Sequence, residues 1–348
     1  MNYKYEKPIF RISKSRVLES YDSLKEIFDQ VSYSWKTNPV VGDILNKETK
    51  AYSSIHSLNE LEEVENKDRC WYFLFIADKN EIDKLLKEYK IKNFVIEREE
   101  DLNLLLGRIK TLKKKVNVLL RMKLGENTMQ RGKHYVFGMS VDKIKELIEK
   151  LDKENLVEEK GIHFHRKTQN VSEWSLNRDV LNSLGEDFLE KINLINVGGG
   201  IPSRYKNVKD VTIDNIFSKL KEFKEEMNKR NIKVIGEPGR YIASFAAKLE
   251  TRVLAVEGNT IFLNASIFSG ALDTVVANIK LLVEGERDEG QKYLLKGITP
   301  DSADILRYSV CLDKPPKVGD KLVFLNAGAY NYYTNFCSLN PPEVVIEE

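Results

Sequence analysis

Gly236-Glu237-Pro238-Gly239-Arg240-Tyr241 sets an acid and a base three residues apart, with proline and glycine between them. The apolar run Ile232–Ile235 just before it is predicted as a buried strand, which puts Glu237 at the strand's C-terminal end. A carboxylate fixed there can pair with a protonated ring nitrogen, and a nearby guanidinium can hold a phosphate or the carboxylate itself. Taken alone, the same six residues also describe a Pro-Gly turn closed by a surface ion pair.

Further residues extend this chemistry. Ser32-Tyr33-Ser34-Trp35-Lys36-Thr37-Asn38-Pro39 ends a predicted strand on one lysine. Desolvation at such a place depresses an amine's pKa and frees it to form an imine, whereas an ordinary strand-end lysine is solvated. Gly198-Gly199-Gly200 follows the apolar run Leu194–Val197 and allows the backbone to approach an anion closely. His163-Phe164-His165 places two imidazoles on one side of a strand. Paired strand histidines can ligate zinc, but with four histidines in all, and no ligand spacing at His56 or His134, a three-histidine site is not expected. Tyr330, in Gly328-Ala329-Tyr330, offers a phenol as a further phosphate donor. Pyridoxal phosphate presents both a pyridine nitrogen and a phosphate, and needs an acid at the nitrogen to work as an electron sink.

These residues must be brought together by the elements that carry them. From about residue 30 to 240, eight short apolar runs alternate with helix-period stretches: Val31–Trp35, Lys50–Ile55, Cys70–Ile76, Asn93–Ile96, Val116–Met122, Gly161–His165, Leu194–Val197 and Ile232–Ile235. That is the arithmetic of an α/β chain folded as a (β/α)8 barrel, and Lys36, His165, Gly198–Gly200 and Glu237 all follow strand ends, where barrel chemistry gathers. Beyond this the pattern becomes alternating, with a hairpin signal at Glu257-Gly258-Asn259. The expected organisation is a barrel over 13–245 and an antiparallel β domain, of sandwich or barrel type, formed by 1–12 with 246–348.

Composition sets the bounds. The 348 residues are 42% hydrophobic and 31% charged, with 55 basic and 53 acidic side chains giving a net charge of +2. This points to neither nucleic acid nor an anionic membrane surface. Three scattered cysteines, Cys70, Cys311 and Cys337, suggest a reducing compartment, and no apolar run approaches the length of a membrane span. The first residues lack the apolar core of a signal peptide, so a cytoplasmic protein is expected.

The chain resembles the alanine-racemase-fold decarboxylases that use pyridoxal phosphate, the ornithine/diaminopimelate/arginine decarboxylase family. Tyr33-Ser34-Trp35-Lys36-Thr37-Asn38 is similar to the family's Tyr-Ala-x-Lys-Ala-Asn, which makes Lys36 the lysine expected to hold the cofactor. The resemblance implies His165 against the cofactor ring, Glu237 on its nitrogen, and Gly198, Gly199, Gly200, Arg240, Tyr330 and Thr168 around the phosphate. Ser57-x-x-Glu60-Leu61 and Phe137-Gly138 are further matches. It also implies a homodimer with shared active sites, in which Asp301 reaches a basic substrate in the neighbouring subunit, and a place in polyamine biosynthesis.

There are departures. In Gly297-Ile298-Thr299-Pro300-Asp301-Ser302-Ala303-Asp304, Pro300 stands where the family carries a cysteine that serves as a proton donor. Ala265 replaces an aspartate that reads the distal amine, Ser54 stands at a usual aspartate, and His165-Arg166-Lys167-Thr168 replaces His-x-Gly-Ser. The resemblance implies decarboxylation of a basic amino acid, ornithine first, then lysine, arginine, diaminopimelate or a carboxy-polyamine. A racemase or a non-catalytic cofactor-binding protein would share the barrel. Against the first stands Glu237, where racemases usually carry arginine, and against the second the region 246–348.

Overall fold

A computed structural model describes residues 6–124, 137–165, 174–208, 211–331 and 333–348, and all structural statements concern these. Eight parallel strands close into a barrel. They are β2 (Gln30–Ser34), β3 (Tyr52–Ile55), β4 (Cys70–Leu74), β5 (Asn93–Ile96), β6 (Val116–Arg121), β7 (Val157–His163), β8 (Leu194–Asn196) and β9 (Lys233–Gly236), after an N-terminal strand β1 (Ile9–Ser13). Each of the eight predicted runs contributes one of them. Parallel strands buried on both faces read as continuous apolar runs, which is why they stand out in the sequence.

Between strands, helices begin where the sequence supplies caps. Asn38 accepts from the Val40 and Val41 amides, with Pro39 in the first helical turn, so the residues that end the lysine segment also start the helix Pro39–Glu48. Asp78 and Ser140 cap Lys79–Lys87 and Val141–Leu151 in the same way. The apolar run at Cys70 stops sooner than its composition predicts. Phe75 and Ile76 are exposed because the Asp101 carboxylate takes the Ile76 and Ala77 amides and turns the chain away. Inside the barrel, Trp71, Phe73, Val95, Leu119, Leu194 and Ile235 form a packed core.

The chain divides into two compact units, Tyr21–Pro202 with Val211–Gly239, and Met1–Ser20 with Ser203–Asp210 and Arg240–Glu348. The second holds an eight-stranded sheet of β1, β10 (Ala247–Glu257), β11 (Thr260–Leu263), β12 (Leu282–Val283), β13 (Gln291–Lys296), β14 (Ile305–Leu312), β15 (Lys321–Leu325) and β16 (Glu343–Glu347). It is mostly antiparallel, as expected, with two parallel pairs within it, β11–β13 and β1–β16. Hairpin signals report only neighbours in sequence, and these pairs join strands separated by intervening chain. The N-terminal strand β1 also pairs antiparallel with β10. No helix among the described residues is long and apolar enough to cross a membrane.

One glycine is indispensable to barrel closure. A Cβ at Gly161 in β7 would lie 1.8 Å from the Leu194 carbonyl oxygen of β8, which cannot retreat without breaking the ladder. Gly161→Ala is therefore expected to cost about 3 kcal/mol, read as a lowered urea midpoint with secondary structure retained below it.

Candidate active site at the barrel mouth

Parallel closure puts every strand's C-terminal end at one mouth, and register decides which side chains meet there. Ser54 of β3 pairs beside Ser34 of β2, His163 of β7 beside Asn196 of β8, and Asn196 beside Ile235 of β9, two residues before Glu237. The carboxylate of Glu237, 5% exposed, collects donors from three strands. Ser54 Oγ donates to Oε1 at 3.0 Å, Asn196 Nδ2 to Oε1 at 2.8 Å, and His163 Nε2 lies 3.2 Å from Oε2. Burial alone would push this carboxyl up in pKa; His163, His56 and the Asn196 amide outweigh it and bring it down to about 2. Burial pulls His163 down against the opposing pull of Glu237, so we assign a neutral ring with its Nε2–H on an ionised carboxylate.

Lys36 follows β2 in a single 3-10 turn and is accessible in the mouth, yet it is surrounded closely enough that desolvation lowers its pKa against the pull of Glu237 and Glu60. Its Nζ lies 3.3 Å from His56 Nε2. His165 presents its ring to the open mouth, and desolvation again moves it below the ordinary histidine range, leaving it neutral at pH 7. Its Nδ1 accepts from the Gly199 amide at 3.2 Å. The Gly198 amide is likewise engaged, by Asn196 Oδ1 at 2.9 Å. These two glycines thus serve by the room they leave as well as by their amides. Gly198 has φ +69° and Gly200 φ +96°, and a Cβ at Gly199 would meet the Glu237 carbonyl at 2.6 Å.

In the β unit, Arg240 is clamped by both oxygens of buried Asp273 and donates to the Tyr205 hydroxyl at 3.0 Å. Its guanidinium carbon stands 5.1 Å from the centre of the Tyr330 ring, a cation–π pairing. Asp301 is half-buried and accepts from the Ala303 amide at 2.7 Å. Thr168 lies outside the described residues. The structure brings together Lys36, His165, Gly198–Gly200 and Glu237 in one unit, and Arg240 with Tyr330 in the other. Sequence reading singled out neither His56 nor Asn196 as a site residue, nor Asp273; it met Ser54 only as a departure and His163 only as the neighbour of His165 on its strand. The pairing of His163 with His165 was the one local signal among these.

The barrel-plus-sheet architecture is that of solved decarboxylase structures. Lysine decarboxylase from Selenomonas ruminantium superposes with a TM-score of 0.82 at 18% identity, over 99% of this chain and 93% of that one. Lysine/ornithine decarboxylase from Vibrio vulnificus, solved with putrescine, gives 0.80 at 20% identity, covering 99% and 95%. Residues 15–244 match the family described as pyridoxal-dependent decarboxylase, pyridoxal binding domain, and the chain belongs to that family. The biosynthetic arginine decarboxylase of Prochlorococcus marinus strain MIT 9215 is 25% identical over 183 residues; the match spans 46% of this chain and 28% of that protein's length. The family's cofactor suits the residues present. A desolvated amine, a carboxylate ionised at neutral pH and a neutral imidazole share one mouth, beside a backbone where a Cβ would intrude.

The acidity of Glu237 has a consequence for stability. Its folded pKa lies below the unfolded value of about 4.3, so its contribution is complete above about pH 5 and is lost as pH falls towards 2. The urea midpoint of the wild-type protein is expected to drop steeply between pH 4 and 2, and Glu237→Gln to flatten that step.

Proposed function

We propose that this protein is a pyridoxal-phosphate-dependent decarboxylase of a basic amino acid, ornithine first, with lysine, arginine, diaminopimelate or a carboxy-polyamine as alternatives. The observation that carries this is the buried, ionised Glu237 at the mouth that also holds Lys36. When bound, pyridoxal phosphate supplies an electron sink for the pair left behind by departing carbon dioxide. Lys36 would hold it through an amine that desolvation keeps reactive. Glu237, kept anionic by Ser54, Asn196 and His163, would stabilise positive charge on the ring nitrogen placed against it. His165, neutral and fixed by Gly199, would offer a flat ring face. Gly198–Gly200, Arg240, Tyr330 and Thr168 are assigned to the phosphate.

The basic substrate is supported by the structural relatives, which are described as lysine, lysine/ornithine and arginine decarboxylases. All of their substrates carry a distal cation. Asp301 would meet that cation across a homodimer interface, a pairing that discriminates strongly once desolvated. A cytoplasmic role in polyamine biosynthesis belongs to the same proposal.

Borohydride reduction of the loaded enzyme and peptide mapping should leave the pyridoxyl group on Lys36, and a label elsewhere removes this assignment. Glu237→Gln should lower kcat by at least about 10²-fold, close to 3 kcal/mol, while the cofactor is retained. Carbon dioxide release measured across the five substrate types should single out one; release from none of them would overturn the reading.

A further inference from the structure

His56 follows β3 directly and has no part in the charge network of Glu237 by hydrogen bonding, yet its Nε2 is 3.3 Å from Lys36 Nζ. The ring is held from three directions. It stacks on Phe73, with centroids 4.5 Å apart and planes 18° from parallel, and Phe73 in turn meets His163 edge-on. The His56 backbone amide donates to Glu60 Oε2 at 2.7 Å, while Glu60's own amide donates to Ser57 Oγ at 3.2 Å, so the Ser57 cap of the helix Leu58–Glu63 fixes both residues. Glu60 Oε2 then stands 3.6 Å from His56 Nδ1, slightly beyond hydrogen-bond length but facing it.

We propose that His56 exchanges the proton of the Lys36 amine, with Glu60 orienting the imidazole for that exchange. The proposal rests on the reading of Lys36 as the cofactor lysine. A carboxylate beside Nδ1 favours the tautomer with the proton on Nδ1, leaving the Nε2 lone pair directed at Lys36. An ammonium at Lys36 has no lone pair to attack a carbonyl. It must lose one proton first: the N–H bond at Nζ breaks, one forms at Nε2, and the Glu60 carboxylate offsets the charge on the imidazolium. The return transfer accompanies release, and no oxidant or reductant is needed.

The charges around the pair set the terms of this transfer. Around Lys36, burial disfavours the ammonium, Glu237, Glu60 and Glu97 favour positive charge, and Arg121 opposes it. His163 lies beyond Phe73 and is neutral. Positive charge is thus tolerated in this corner, while burial disfavours holding it on the amine, and the His56 ring that would take the proton faces the Glu60 carboxylate. Ser54, two residues before His56, cannot substitute for it, because its hydroxyl donates to Glu237 and pairs with Ser32.

The test is the rate at which the cofactor-free full-length protein captures pyridoxal phosphate, followed by absorbance, trapped with borohydride and mapped. His56→Ala is expected to slow capture at least about tenfold, with all label still on Lys36. Added imidazole should restore much of the rate in proportion to its unprotonated fraction. Glu60→Gln should slow capture less, without rescue. A wild-type rate in His56→Ala, or a slowing that imidazole does not relieve, overturns the proposal. Label away from Lys36 in the wild type would instead defeat the assignment of the cofactor lysine. If His56→Ala fails to fold, His56→Gln must show the slowing, and an unchanged rate there overturns the proposal equally.

Discussion

A carboxylate that stays ionised when almost fully buried has to be surrounded by donors, and at Glu237 those donors come from β3, β7 and β8 at once. No local segment can supply them. They converge only if the barrel closes with the register that sets Ser54 beside Ser34 and His163 beside Asn196. A slip by one residue would turn each of them to the other face and leave a bare charge in the interior, at a cost of several kcal/mol. Barrel closure and the charge state of the site are therefore one constraint, which explains why small side chains are kept around it. Gly161 lets β7 and β8 approach, Gly199 lies against the Glu237 carbonyl, and Gly239 lies against Thr37.

Much of this frame was legible in the sequence because its signals are local. An apolar run bounded by turn residues marks a buried parallel strand wherever it occurs, and the strand ends then locate Lys36, His165, Gly198–Gly200 and Glu237. What the sequence withheld was pairing. Ser54, Asn196 and His56 look like ordinary polar residues until register sets them against partners 20 to 183 positions away. Asp273 gave no signal at all, since its value lies in a guanidinium 33 residues distant. The parallel pairs in the β unit were hidden for the same reason: strand direction follows from the connection, which alternating residues do not encode.

The departures from the family pattern acquire physical sense in this light. Serine in place of aspartate at position 54 removes a second carboxylate from a pocket already holding Glu237, and its hydroxyl becomes a donor instead. The altered residue therefore relieves like-charge repulsion and contributes to the acidity of the remaining acid.

The loop from Gly297 to Asp304 is organised from its far end. Asp304 is fully buried and takes the Ile267 amide on Oδ1, and the Thr299 amide and hydroxyl on Oδ2, while its backbone accepts the Gly297 amide. Gly297 leaves the space this carboxylate fills, since a Cβ there would lie 2.2 Å from it. The exposed tip, including Pro300, makes none of these bonds. Such a loop behaves like a tool holder with an exchangeable bit: its shape is inherited from the clasp, so evolution can trial new chemistry at the tip without renegotiating the fold.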